Sequence, residues 1–169
     1  MQNFRLEWIS WFNTELLPIA QKLYNGVTGM HGIEHISSVV AFSIIICSEE
    51  YPNEPDEFVK SCILAAVLHD CARVKEKDGW DEDHAENAVP KIKAFKLLFN
   101  NTFNLQEDNW NDIIEAVRTH TSGIGGNPVN KIASVLWDAD RVRLSWFYGY
   151  DEQYFSTNTG KRLAKGEKL

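Results

Sequence analysis

The dipeptide His69-Asp70 ends the apolar run Cys62-Ile-Leu-Ala-Ala-Val-Leu68, and both of its side chains are of the kinds that ligate metals. An unpaired carboxylate is costly in apolar surroundings, so Asp70 needs a compensating charge, and a cation supplies one. Upstream lies His31-Gly-Ile-Glu-His35; downstream come His84, His120 and the stretch Asp138-Ala-Asp140-Arg141. No histidine of the chain lies outside this set of five. The chemistry such residues can do together is that of a bound divalent ion.

Spacing narrows the choice within the set. His31 and His35 share a face if both are helical. Gly32, however, puts His31 before or at the opening of a helix and His35 within its first turns. His35 shares a face with Val39, Phe42 and Ile46, which buries it, and a buried imidazole needs a partner. A metal is one such partner; a chance pairing of ordinary core histidines is the alternative. His69 and Asp70 diverge by about 100° on a regular helix. They can meet one ion where a helix ends and the backbone opens, or serve two neighbouring ions with Asp70 between them. The plainer reading is a helix C-terminus whose histidine favours the dipole.

Asp138 and Asp140 point about 200° apart on a helix, so one of them at most faces a shared site. The helical neighbours of Asp140 (Ala133, Leu136, Trp137, Leu144) look drier than those of Asp138 (Ser134, Val135, Arg141, Val142). Asp140 is therefore the candidate ligand, and Asp138 an outer or capping group. Arg118, two residues before His120, is placed to reach a phosphate oxygen or to stay on a helix surface. Cys71 follows Asp70 directly and is a weaker candidate for a place near the metal.

The elements that must position these groups read as helices almost throughout. Residues 5–24 carry a 3.6-type stripe through Leu6, Ile9, Phe12, Leu16, Leu17, Ile19, Leu23 and Tyr24, with Pro18 predicted to kink or split it. Residues 34–49 are apolar nearly all round, as in a central helix. The run Ile44-Ile45-Ile46 could also be a buried strand, but no companion strands follow. Residues 56–70 bring His69 and Asp70 to the inward side of a helix end. After the polar connection 75–83, Asp83 and Glu86 have the form of a capping box opening a helix at His84, with Pro90 an irregularity inside it. Residues 106–121 bury Trp110, Ile113, Ile114, Val117 and Thr121 and deliver His120 at their C-terminal end, with Gly123 as a left-handed cap. A last helix runs from Pro128 to about Phe147, using Ile132, Leu136, Ala139 and Arg143. The tail from Tyr148 has no assigned structure.

Composition sets outer limits. The 169 residues form one domain over 1–169, with 44% hydrophobic and 24% charged residues, ordinary for a soluble globular chain. A chain of this length buries a core without a metal, so an ion is there for chemistry. A net charge of −7 argues against binding a nucleic-acid duplex, and the basic stretch Lys161-Arg162-Leu-Ala-Lys165 is too short to reverse that. A small anionic substrate fits, because the metal supplies positive charge locally. Three cysteines without CxxC spacing suit a reducing compartment, with Cys47 and Cys62 in the core. The N-terminus lacks a signal pattern. The longest apolar stretch, Val39 to Cys47, falls short of the ~18–20 residues that span a bilayer. No membrane association and a cytoplasmic location are therefore expected. Nothing in the composition bears on oligomeric state.

The ordered set His35…His69-Asp70…Asp140 resembles the HD-domain superfamily of metal-dependent phosphohydrolases, most closely its small single-domain branch. The motifs that carry the likeness are His31-Gly-Ile-Glu-His35-Ile-Ser-Ser-Val39, Ala65-Ala-Val-Leu-His-Asp70, His84-Ala-Glu86, Ala116-Val-Arg-Thr-His120 and Asp138-Ala-Asp-Arg141. They span roughly residues 28–145 and are specific as a set rather than singly. The resemblance implies an all-α, HD-domain-like bundle of about six or more helices. It implies His35, His69, Asp70 and Asp140 as metal ligands, with His84 and His120 placed to bind a second ion or contact the phosphate. Asp70, His84, His120 and Arg118 are then the candidate catalytic groups. Arg143 stands where the branch commonly has an acidic residue, and Cys71-Ala72 where it has Ile-Gly. The C-terminal quarter has no counterpart in these motifs.

The implied cofactor is one or two divalent ions. Nitrogen and oxygen donors without thiolate suit Mn, Fe, Co, Ni or Zn, with Mg possible. Such an ion makes water reactive near neutral pH and neutralises charge on a phosphate, which is the chemistry of phosphate-ester hydrolysis. The expected partner is a small phosphorylated substrate or a nucleotide. Two other readings use the same residues: a di-iron oxygenase on the same scaffold, and a non-catalytic metal- or nucleotide-binding module.

Overall fold

The computed structural model describes residues 2–27, 31–73, 83–121 and 127–168. Among these residues there is no strand, and the chain is an all-α bundle. Most of the 75–83 connection and Gly123 lie outside the described residues.

The N-terminal segment is α1 (Gln2–Trp11), a π-helical turn (Phe12–Leu16) and α2 (Leu17–Leu23). Pro18 stands in the first turn of α2 and cannot donate to the carbonyl of Thr14, which accounts for the widened turn before it. The buried stripe is Trp8, Phe12, Leu16, Ala20 and Tyr24, spaced by four residues. Leu6, Ile9 and Leu23, expected on that stripe, are exposed. The aromatic residue at position 8 sets the face, because its area outweighs that of the aliphatic neighbours.

Helix α3 (Ile33–Glu50) and α4 (Asp56–Leu68) pack on each other at the centre, and the triple-isoleucine run is helical. Twelve consecutive residues, from Ser61 in α4 through Ala72 past its end, are buried. Around this pair lie α5 (His84–Phe103), α6 (Glu107–Arg118) and α7 (Lys131–Tyr148). Helix α5 does begin at His84, but Asp83 makes no side-chain capping bond, so that expectation fails. The reciprocal capping box occurs instead at α6, between Gln106 and Asn109. Thr121, expected to be buried, is exposed, because the helix has already ended at Arg118. Helix α7 begins three residues later than expected, where Asn130 Oδ1 accepts from Ala133 N at 2.7 Å.

The tail is structured. A 3₁₀ turn (Glu152–Tyr154) leads into α8 (Asn158–Ala164), which packs on α7 and α3. Two carboxylates hold it. Asp138 is fully buried and accepts from Ser156 N at 2.9 Å, Thr157 N at 2.7 Å and both hydroxyls of that pair. Glu50 Oε1 accepts from Thr159 N and Oγ1 at 2.6 and 2.7 Å. Gly160 lies so close that a Cβ there would come within 2.4 Å of Asp138 Oδ2, so no larger residue fits without displacing the carboxylate. No helix among the described residues is long and apolar enough to cross a membrane.

Candidate metal centre

The five histidines come from helix ends. His31 and His35 stand at the start of α3, His69 and Asp70 just past the end of α4, His84 at the first position of α5, and His120 just past the end of α6. Asp140 alone comes from the interior of a helix, α7. These termini meet in one place. His35 Nε2 is 3.3 Å from His69 Nε2 and 3.2 Å from Asp140 Oδ1. His84 Nε2 is 3.1 Å from His120 Nε2.

Asp70 lies between the two groups, and its two oxygens face different partners. Oδ2 is 2.9 Å from His31 Nδ1, 3.4 Å from His69 Nε2 and 3.8 Å from His35 Nε2. Oδ1 is 2.8 Å from Arg73 Nε, 3.3 Å from His84 Nε2 and 3.7 Å from His120 Nε2. The adjacency of His69 and Asp70 in sequence is therefore used as a helix end permits, with both side chains turned into one space.

Tautomers follow from the second ring nitrogens. His69 Nδ1 donates to Ala66 O at 2.8 Å and His120 Nδ1 to Val117 O at 2.6 Å, since a carbonyl only accepts. In the neutral rings Nε2 is then a bare lone pair directed at the other donors. Lone pairs this close repel unless a cation lies between them. His35 Nδ1 is buried without a hydrogen-bond partner, so nothing on that side fixes its ring.

The electrostatics reflect the same demand. Burial lowers the pKa of His69, but the carboxylates of Asp70 and Asp140 outweigh it and hold the group up at about 9. Burial would raise Asp140, yet the His35 hydrogen bond and the His69 charge hold it at about 2. Asp70 is likewise held well below the usual carboxylate range by His69, His120 and His31, against its burial. His120 goes the other way, pushed down by burial and left neutral. A proton on His69 thus offsets part of the charge of the two carboxylates.

That donor set fits a divalent ion. Three groups of donors each lie within 4.8 Å of one another: His31, His35 and Asp70; His35, His69 and Asp140; His69, Asp70 and His120. His35, His69, Asp70 and Asp140 would hold one ion, and Asp70 with His84 and His120 a second. Imidazole and carboxylate donors suit first-row transition metals. Cys71 does not join them; burial pushes its thiol up to about 11, and its carbonyl accepts from Lys91 Nζ at 2.9 Å.

A consequence for stability can be measured. The raised pKa of His69 contributes stability to the metal-free protein that is complete below its ordinary value of 6.5 and is lost as pH rises through about 9. The depressed pKa of Asp140 contributes stability present above 3.8 and lost as pH falls through about 2. The stability of chelator-treated protein is therefore expected to fall between pH 6.5 and 9 by on the order of 1–3 kcal/mol, and its melting temperature with it. An ion bound through His69 would displace its proton, so added divalent ion should raise the melting temperature more at pH 8.5 than at pH 6. A metal-free profile that rises over this range would contradict the assignment.

The structure corrects two expectations, one about Asp140 and one about Arg118. Asp140 was expected in the drier environment, yet Asp138 is the fully buried one, while the Asp140 side chain is 15% exposed. The reason is that Asp138 is saturated by hydrogen bonds from the tail, whereas Asp140 faces an open site. Asp138 thus takes the capping role, not a ligand's. Arg118 is not brought into the cluster; it is exposed and paired with Glu115 at 2.6 Å. The cation that does reach Asp70 is Arg73, whose only signal in the sequence was its position three residues after the carboxylate. His31, ranked below His35, also contacts Asp70 directly.

A model of the HD domain matches residues 32–144. No curated protein and no solved structure matches the chain. The matched span runs from the residue before α3 to the turn of α7 beyond Asp140, so it takes in every donor described above except His31. The chain belongs to the HD-domain family, whose members are mostly metal-dependent hydrolases.

Proposed function

We propose that the protein is a metal-dependent phosphohydrolase that cleaves a phosphate ester of a small molecule or nucleotide with ion-activated water. The observation that carries this reading is Asp70, with Oδ2 facing His31, His35 and His69 and Oδ1 facing His84 and His120. A divalent ion held there would lower the pKa of bound water from 15.7 toward ~7 and neutralise charge on the phosphate. The residues do the rest. His35, His69 and Asp140 form one set of donors, His84 and His120 the other, and Asp70 spans both. The backbone bonds of His69 and His120 keep their Nε2 atoms aimed inward, so no reorientation is needed on binding. Arg73, partly exposed beside Asp70, adds a fixed positive charge where an anionic ester would enter. The expected location is the cytoplasm.

Phosphate release from a panel of phosphomonoesters and nucleotides, with Mg, Mn, Fe, Co, Ni or Zn added in turn, tests the reading. Turnover with at least one ion, abolished by chelation and restored by that ion, is the expected result. Oxygen uptake by the iron-loaded protein without phosphate release would replace hydrolysis by di-iron oxygen chemistry. Saturable nucleotide binding with no turnover under any ion would leave a binding module.

A further inference from the structure

Helix α4 stops at Leu68, and the carbonyls of its last turn must find partners outside the helix ladder. Two of them find partners nearby in the chain. Ala66 O accepts from the His69 ring at 2.8 Å, and Leu68 O accepts from Cys71 N at 3.2 Å. Val67 O differs, because its partner comes from another element. The hydroxyl of Tyr24, 43 residues earlier in the chain, donates to it at 2.8 Å. Tyr24 stands at the C-terminal cap of α2, and its backbone is fixed on both sides. Its N–H donates to Ala20 O at 2.9 Å, and its carbonyl accepts from Val27 N at 3.0 Å. The side chain is buried in the core, so the hydroxyl has a set position.

That bond lies where the helix gives way to the donor pair. If α4 continued, Cys71 N would donate to Val67 O, four residues back. The phenol takes that carbonyl instead, and Cys71 N turns to Leu68 O, three residues back, which tightens the chain. His69 and Asp70 stand between these two bonds, so the path of the backbone through them depends on which acceptor each group takes. The backbone N–H of Asp70 also faces the phenol oxygen. Packing accounts for the Tyr24 ring but not for its hydroxyl. A phenylalanine would fill the same space and leave Val67 O without this donor. Tyr24 also precedes residues 32–144, the span that the HD-domain model matches.

We propose that Tyr24 is a positioning residue of the metal centre: its hydroxyl, by holding Val67 O, ends α4 at the donor pair and fixes where the Asp70 carboxylate points. The role rests on the metal centre that the phosphohydrolase reading also uses. It deepens that reading by making the N-terminal segment part of what holds the site in shape.

Tyr24→Phe tests this, because it keeps the ring and removes one oxygen. The probe is Co²⁺ alone, added to the full-length protein, with no hydrolysis required. Affinity is read by competition with a chromophoric chelator, and ligand geometry by the visible absorption of the bound ion. Affinity is expected to fall on the order of tenfold, the lower end of what partners behind a ligand cost, and the absorption bands to change. Ser61→Ala is the comparison. Ser61 Oγ donates to Glu57 O at 2.7 Å in the same helix, about two turns before the donors. Its loss should lower the melting temperature and leave Co²⁺ affinity and spectrum as in wild type. Equal affinity and an unchanged spectrum in Tyr24→Phe overturn the positioning role, whatever its melting temperature. So does loss of folding in Tyr24→Phe, or an equal loss of affinity in Ser61→Ala, since either would make the hydroxyl a matter of stability alone. A wild type that binds no Co²⁺ refutes the centre and this role with it. Altered Co²⁺ binding in Tyr24→Phe, with no ester cleaved under any ion, keeps the role and refutes the hydrolase.

Discussion

Replacing Asp70 with alanine is expected to strip the protein of metal and of hydrolytic activity together. Among the described residues, Asp70 is the one side chain within reach of His31, His35, His69, His84 and His120 at once. Loss of an outer-shell partner alone typically costs 10–100-fold in metal affinity or activity, so a carboxylate shared by both donor groups should cost more than about 100-fold. The substitution also leaves the Arg73 guanidinium without its 2.8 Å partner and removes the charge that holds His69 protonated. Metal content per chain and phosphate release, measured on the same preparation, check this. Full activity in Asp70→Ala would refute the assignment of the centre. His35→Ala should behave alike, whereas His31→Ala should lose less, because His31 is a quarter exposed and contacts only Asp70 among the donors by hydrogen bond.

Asp138→Ala is expected to be the most destabilising substitution outside the centre. It removes the acceptor of two backbone amides and two hydroxyls in the Ser156-Thr157 pair, and leaves the Thr157 donors buried. Unsatisfied buried donors cost about 1–3 kcal/mol each, so a total of roughly 3–5 kcal/mol is reasonable once the tail relaxes. For a chain of this size that is a fall in melting temperature of about 10 °C or more. Asp138→Asn keeps an acceptor but turns an amide toward the same donors, and should recover only part of the loss. Thermal unfolding of the metal-free forms isolates this from ligand binding. A change in melting temperature of only a degree or two for Asp138→Ala would show that the tail is not held by this carboxylate.

The parts of the molecule that were legible in the sequence are those governed by local periodicity. Helices α3, α4, α6 and α7 followed from apolar spacing, and His69-Asp70 at a helix end followed from the run that precedes it. The ordered motifs placed His35, His69, Asp70 and Asp140 together, and in the structure each of the four lies within 3.4 Å of another. Less legible were features that depend on distant segments. Asp138 and Asp140 could be told apart by the rotation between them, but not by which is drier, because the tail that buries Asp138 is nearly twenty residues away. Arg118 looked useful from its proximity to His120 in sequence, yet two residues along a helix turn the side chain away. The buried face of α1 is set by Trp8, which the apolar stripe through Leu6 and Ile9 leaves out. The tail itself lacks a strong apolar rhythm; its helix is anchored by carboxylates of α3 and α7 rather than by its own pattern.

The placement of the donors also sets which changes of chain length the centre can absorb. Donors at helix termini are carried by whatever connection joins those termini, and lengthening a surface connection costs little, growing only with the logarithm of its length. Asp140 has no such latitude. It stands nine residues inside α7, so deleting a single residue between Lys131 and Ala139 would turn it by about 100° and draw it back by about 1.5 Å. Insertions and deletions in relatives of this chain should therefore gather between helices and spare the first half of α7.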